Sequence, residues 1–169
     1  GLGDVYKRQF KQNQEATIEE KQSAINELEQ ALKSAINRIH QSQNNESVSA
    51  ALKESISLID SIEIQAHKKL EAKAYIDGYS DDKINDISSR ATNEEKQIFV
   101  SKLKALINRA HKQIDEAETF VSVDTIVRNF KVEVDKLNSI VRKKAKALKE
   151  IELEADHVKP VSYTHLTLP

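Results

Sequence analysis

Between residues 10 and 159 the chain contains one glycine, Gly78, and no proline. Glycine and proline are the residues that end helices and form tight turns, so hairpins between β-strands have almost no sequence support here. Charged residues make up 31% of the chain and aromatic residues 5%, a composition typical of slender helical bundles with narrow cores. The sequence therefore predicts an all-α protein.

Both ends of the chain carry a sequence that reads as translated adapter rather than as natural protein. Residues 4–9 back-translate to GATGTGTATAAGAGACAG, and residues 161–165 with the opening of the next codon back-translate to most of its reverse complement. We expect residues 1–9 and 161–169 to derive from a sequencing adapter and to stand outside the natural fold. Residues 10–15 are then expected to be the end of a preceding repeat.

The chain repeats itself after 75 residues. The segment ATIEEKQ at residues 16–22 recurs as ATNEEKQ at residues 91–97, with a single difference. Apolar positions downstream keep the same offset: Ile25 and Val100, Leu28 and Leu103, Ile39 and Ile114, Val48 and Val123. We expect two tandem helical repeats, at 16–90 and 91–160, joined end to end as an elongated rod.

The repeated segment has the spacing of a helix start. Thr17 precedes Glu20 by three residues, and Thr92 precedes Glu95 in the same way. In a capping box the threonine hydroxyl accepts a backbone N–H three residues on, and the glutamate returns the bond. The neighbouring glutamates also suit the positive end of the helix dipole. A catalytic pair is disfavoured, because adjacent carboxylates point different ways round a helix.

Each copy carries three apolar series at helical spacing. The first copy has Ile25, Leu28, Leu32, Ile36 and Ile39, then Val48, Leu52, Ile56, Ile59 and Ile62, then Ala66, Leu70, Ala74, Ile84 and Ile87. The second has Val100, Leu103, Ile107 and Ile114, then Val123, Val127, Val134, Leu137 and Ile140, then Ala145, Leu148, Ile151 and Ala155. Asn44 or Asn45 and Thr119 are the expected caps of the second helices. No stripe is stable alone, so a three-helix bundle per copy is predicted. The sequence leaves open whether the second and third helices are separate, and residues 77–81 are expected to kink or split the third.

The Ala-Thr-x-Glu-Glu-Lys segment, the apolar spacing after it and the Ala/Lys-rich third segment resemble the domain-of-unknown-function 1542 repeat. That family forms long tandem arrays in cell-wall-anchored surface proteins of staphylococci, streptococci and lactobacilli. The resemblance implies an extracellular, wall-attached stalk or spacer that takes part in adhesion to host matrix or serum proteins or in cell aggregation. Its partners would include neighbouring repeats of the same chain. The resemblance supplies no catalytic residue.

No other constellation in the sequence predicts chemistry. The chain has no cysteine, and its histidines (His40, His67, His111 and His157) lack the spacing of metal ligands. One internal glycine cannot form a phosphate-binding loop, and a formal net charge of −1 gives no basic face for nucleic acid. Ser47, Ser49, Ser55 and Ser57 are expected to face solvent, and Tyr75 and Tyr79 to pack at a boundary or contact a partner. We expect no enzyme activity, no cofactor, no metal and no membrane insertion.

Two other functions fit the same pattern. The first is a three-helix module that binds albumin or immunoglobulin, which requires an exposed apolar patch on one helix pair. The second is a cytosolic coiled-coil scaffold, which requires heptads sustained across the segment boundaries. The polar run at residues 41–46 argues against the scaffold.

Overall fold

The computed structural model describes the backbone of residues 1 and 3–167 and the side chains of residues 1 and 3–158; residues 168–169 of the expected adapter segment lie outside it. Within these residues the protein is helical and contains no strand. The helices are α1 (Asp4–Gln12), α2 (Ile18–Gln41), α3 (Asn45–Asp60), α4 (Lys68–Ile87), α5 (Asn93–Glu116), α6 (Phe120–Lys136) and α7 (Lys143–Thr167), with a 3₁₀ turn at Leu137–Ile140. The predicted all-α fold of repeated helical bundles is confirmed.

The helices are bounded by side-chain caps and extended residues rather than by glycine. Asn44 begins α3, because its side chain accepts the Ser47 N–H at 2.8 Å while the Ser47 hydroxyl accepts the Asn44 N–H at 3.2 Å. At the other ends, α1 and α2 stop where Asn13 and Ser42 turn to extended backbone. No residue in the described part of the chain has a positive φ. Helices here end without the left-handed residue that often follows a helix.

The second and third helices of each copy are separate. In the first copy α3 ends at Asp60 and α4 begins at Lys68; in the second, the 3₁₀ turn lies between α6 and α7. The kink expected at residues 77–81 is wrong, because α4 runs unbroken from Lys68 to Ile87. Gly78 lies inside that helix, and a Cβ added to it would meet nothing within 4 Å. The residue is tolerated at an exposed helical position and does not form a turn.

The chain divides into two compact units. Unit 1 comprises Gly1–Ala74 and His111–Val127, and unit 2 comprises Tyr75–Ala110 and Arg128–Pro169. In unit 1, α2 packs against α1 and α3. Its core is formed by Phe10, Ala24, Ile25, Leu28, Ala31 and Ile62, with Tyr6, Leu32, Ile59 and Ile64 packed against it. Three of the ten are alanine or phenylalanine from α1 and α2 only at the centre, so the apolar stripe of α2 does most of the packing.

Unit 2 buries apolar side chains from α4, α5 and α6. They are Ile76 and Ile87 of α4, Phe99, Leu103 and Ala110 of α5, and Phe130 and Val134 of α6. At the edge of this core the Tyr79 ring lies edge-on to Phe130, with centroids 6.3 Å apart, and its hydroxyl donates to Asp135 at 2.9 Å. Tyr75 stacks on Tyr79 at 6.0 Å. The two tyrosines therefore pack at a boundary, and Tyr75 remains exposed.

Several residues of the predicted stripes are not buried. The exposed ones are Ile36, Val48, Leu52 and Ile56 near the start of the chain and Leu70, Leu148 and Ile151 in the third helices. Periodicity identifies an apolar face, but burial also requires a neighbour to cover it. The expectation for Ser55 is also wrong, because Ser55 is buried in α3 and its hydroxyl has no hydrogen-bond partner.

Candidate functional site: a glutamate shared by two helices

The repeated segment folds into a capping box at the start of α2. Thr17 is buried and extended, with φ −74° and ψ 165°. Its hydroxyl accepts the Glu20 N–H at 3.3 Å, and Glu20 Oε1 accepts the Thr17 N–H at 3.0 Å. Two backbone N–H groups that a helix start leaves without an internal partner are thereby satisfied.

Glu20 also caps a second helix. Its other oxygen, Oε2, accepts the backbone N–H groups of His67 at 2.7 Å and Lys68 at 3.1 Å, at the first turn of α4. One carboxylate therefore joins the N-termini of the first and third helices of the repeat. Sequence analysis missed this role, because the donors are backbone groups and no side-chain pattern marks them.

The second copy builds the same arrangement. Glu95 Oε1 accepts the Thr92 N–H at 3.0 Å, and the Thr92 hydroxyl accepts the Glu95 N–H at 3.1 Å. Glu95 Oε2 accepts the N–H groups of Arg142 at 2.8 Å and Lys143 at 3.1 Å, at the first turn of α7. Each donor lies 75 residues after its counterpart in the first copy. We call Glu20 and Glu95 the shared glutamates.

The surroundings of the shared glutamates favour their ionised form. The N–H of Arg142 and then that of Thr92 lower the pKa of Glu95 from its usual 4.5 to about 2. At Glu20, burial raises the pKa, but the hydrogen bonds from Thr17, Lys68 and His67 outweigh it and the net pKa is lowered. Both carboxylates are therefore charged acceptors at neutral pH, and neither is poised to exchange a proton.

In unit 1 the shared glutamate stands beside a second joint, formed with residues 115–120 between α5 and α6. Three hydrogen bonds make the joint: Ile18 N–H to the Glu118 carbonyl at 2.7 Å, Phe120 N–H to Glu19 Oε2 at 2.9 Å, and Lys69 Nζ to the Asp115 carbonyl at 2.9 Å. Lys69 also donates to the Gln14 carbonyl at 3.0 Å, and the residue is only 6% exposed. All three bonds use a backbone group of residues 115–120. We call them the joint bonds.

The other candidate sites do not assemble. Within the described residues no three histidine, aspartate or glutamate side chains come together as metal ligands would. His40 and His67 are exposed, and His67 contacts Gln65 at 3.1 Å. The described helices include none with the length and apolar content needed to cross a bilayer. The ionisable groups with lowered or raised pKa values sit in caps and ion pairs rather than in a cavity.

The fold and the duplicated capping site define a tandem helical-repeat protein. The chain belongs to the family Domain of Unknown Function (DUF1542), which it matches in two consecutive segments, residues 4–67 and 68–142. The resemblance stated from the sequence is thus confirmed. The matched segments begin at α1 and at α4. Neither a curated protein nor a solved structure matches the chain.

Removing the cap hydroxyl should weaken the second helix start. We expect Thr92→Ala to lower the free energy of unfolding by about 1 kcal/mol, because the Glu95 N–H loses its acceptor. Chemical denaturation followed by circular dichroism measures the change. Thr125→Ala is the matched control, since the Thr125 hydroxyl bonds only the Val121 carbonyl inside α6, and it should change stability by less than about 0.5 kcal/mol. Equal stabilities of Thr92→Ala and the parent would contradict the cap.

Proposed function

We propose that the chain is a non-catalytic helical repeat segment of a bacterial cell-surface protein and acts there as a stalk or spacer. The observation that carries the proposal is the duplication of the shared glutamate. The same six groups, Thr17, Glu20 and the first turn of α4, then Thr92, Glu95 and the first turn of α7, recur after 75 residues. A site that only fixes helix ends, and is built twice, serves architecture rather than turnover.

Short connections support the spacer role. Helix α4 ends at Ile87 and α5 begins at Asn93, and the intervening residues include the Thr92 cap of the next copy. The connection is therefore occupied by structure and holds no flexible linker of glycine and serine. In tandem arrays, stability is approximately a sum over units and their nearest neighbours. Adding copies would lengthen such a protein without a new folding problem.

Membership in the DUF1542 family supports the surface location through the resemblance to wall-anchored repeat proteins. Adhesion to a host matrix or serum protein is part of the same proposal. The exposed apolar side chains of α3, which include Val48, Leu52, Ile56 and Leu58, offer a surface for such a partner. An antibody raised against the chain should stain intact bacteria that carry the gene. Staining of lysed cells alone would contradict the location.

The spacer role is tested by solution scattering of the full chain at low concentration. A compact globule of 169 residues would have a radius of gyration of about 15 Å. A spacer should give a clearly larger radius and an asymmetric distance distribution, with the mass of a monomer. A radius near the compact value would overturn it. Capture assays on immobilised albumin, immunoglobulin and matrix extract test adhesion separately, and no binding in any of them would leave a spacer without adhesion.

A further inference from the structure

The first turns of α7 expose a face whose counterpart on α4 is buried. Its four positions, spaced three or four residues apart, are Lys144, Ala147, Ile151 and Ala155 on α7, against Lys69, Ala72, Ile76 and Ser80 on α4. The contrast is largest for the isoleucines: Ile151 is 65% exposed and Ile76 is 0% exposed. Residues at this spacing lie on one side of a helix. We call the α7 positions the open face.

Unit 1 shows what covers the first part of the α4 counterpart. Residues 115–120 lie against it through the joint bonds, and the Lys68 ammonium contacts Asp124 at 2.6 Å. Val123, in the first turn of α6, is 0% exposed there. The occupant is thus the end of a repeat at which its first helix stops and its second begins.

Unit 2 carries the counterparts of the groups that receive this occupant. Lys144 Nζ donates to the Ser89 carbonyl at 3.3 Å, which repeats the bond from Lys69 to Gln14 at an offset of 75. Glu94, the counterpart of Glu19, is exposed beside an open groove that Ile98 and Ile140 also line. In unit 1 the corresponding groove, beside Glu19 and Glu20, is lined in part by Phe120.

The chain also offers the matching occupant. Residues 40–45, between α2 and α3, stand 75 residues before 115–120 and end in the Asn44 cap, where the later copy has the Thr119 cap. Val48, the counterpart of the buried Val123, is 37% exposed. The α2–α3 end thus presents an apolar side chain and the backbone groups that the joint bonds use.

We propose that the open face of one chain binds the α2–α3 end of a second copy of the chain, head to tail, in the geometry of the unit 1 joint. The joint bonds would become Asn93 N–H to the Gln43 carbonyl, Asn45 N–H to Glu94, and Lys144 Nζ to the His40 carbonyl. Because each bond uses a backbone group of the occupant, the differing side chains of the two copies do not prevent it. Val48 and Ile151 become buried in the contact.

The contact between copies is weaker than the joint within the chain. Two ion pairs of unit 1, Lys73 with Asp115 and Lys68 with Asp124, have the counterparts Leu148 with His40 and Lys143 with Ser49, which cannot pair as opposite charges. A small interface without these pairs should associate at total concentrations between about 10 µM and about 1 mM. Sedimentation equilibrium of the full chain over that range measures the association.

Two substitutions distinguish the open face from the rest of α7. Ile151→Asp should weaken association about tenfold or more, because the contact would bury a carboxylate without a partner. Leu153→Asp is the matched control: Leu153 is 61% exposed on the same helix, and its counterpart is the exposed Gly78. It should leave association within about twofold. Circular dichroism confirms that both variants keep the helix content of the parent.

A mixing experiment tests the head-to-tail arrangement. Val48→Asp should abolish self-association as Ile151→Asp does, because it damages the other end. Mixed together, the two variants should form a heterodimer, since one retains the open face and the other retains the α2–α3 end. A symmetric contact of α7 with α7 would not be rescued in this way.

Three results would overturn the proposal. They are a parent chain that stays monomeric up to about 1 mM, a control Leu153→Asp that weakens association as much as Ile151→Asp, and a mixture of the two damaged variants that stays monomeric. Capture of albumin or matrix protein by the parent, lost in Ile151→Asp while the parent remains monomeric, would assign the open face to a host partner instead. The spacer role would survive any of these results, because it depends on the scattering of the dilute chain.

Discussion

Leu103→Ala should lower the free energy of unfolding by about 2–5 kcal/mol. Leu103 is 1% exposed in the core of unit 2, so truncation removes buried methyl groups and leaves a cavity that neighbours fill only in part. Leu28, 75 residues earlier and fully buried in unit 1, should respond in the same range. Denaturant unfolding followed by circular dichroism and by heat capacity measures both variants.

The control for these variants is an exposed leucine on a described helix. Leu70 of α4 is among the most exposed apolar side chains, and Leu70→Ala should change stability by less than about 0.5 kcal/mol. If Leu103→Ala and Leu70→Ala have the same effect, the apolar stripe of α5 does not form the core of unit 2. A large effect at Leu28 alone would show that only unit 1 is folded in solution.

Glu20→Ala should cost about 1.5–3 kcal/mol at neutral pH, the range for hydrogen bonds to charged groups. The substitution leaves the N–H groups of Thr17, His67 and Lys68 without their acceptor, at two helix starts at once. Glu27→Ala, an exposed carboxylate on the same helix, is the matched control and should have little effect. A loss no larger than that of a single cap such as Thr92→Ala would indicate that Glu20 does not hold α4.

The shared glutamates also predict how stability responds to acid. The pKa of Glu95 is about 2 in the folded chain against 4.5 ordinarily, and that of Glu20 is lowered as well. The unfolded chain therefore takes up protons first as the pH falls, so stability is complete above about pH 5 and is lost between about pH 4.5 and pH 2. The double variant Glu20→Gln, Glu95→Gln should be less stable at pH 7 and should show a flatter acid profile. Parallel acid profiles of parent and variant would contradict the shared role.

The sequence predicts the fold class because composition and period act locally. One internal glycine, an apolar period near 3.6 and two threonine–glutamate spacings are sufficient to indicate helices and to place the starts of α2 and α5. The bend at residues 77–81 was predicted wrongly, because a glycine inside a helix resembles a turn signal when a tyrosine, a serine and two aspartates surround it. Tertiary packing of α4 overrides that local preference.

Two features of the site could not be predicted from residues alone. The second oxygen of each shared glutamate binds backbone N–H groups about 47 residues away, and such donors have the same chemistry at every position of the sequence. The burial of an apolar stripe depends on the neighbour that covers it, as Val48 and Val123 show. Equivalent residues thus differ in exposure although their sequence patterns agree.

The joint in unit 1 has a consequence for how such arrays can evolve. Its bonds reach main-chain atoms of the incoming segment, which no substitution other than proline alters. A new copy could therefore be inserted or exchanged by recombination and still seat correctly, while its outward residues diverge freely under immune or ligand selection. Only the lysine and the acidic pair on the receiving side would need to be retained.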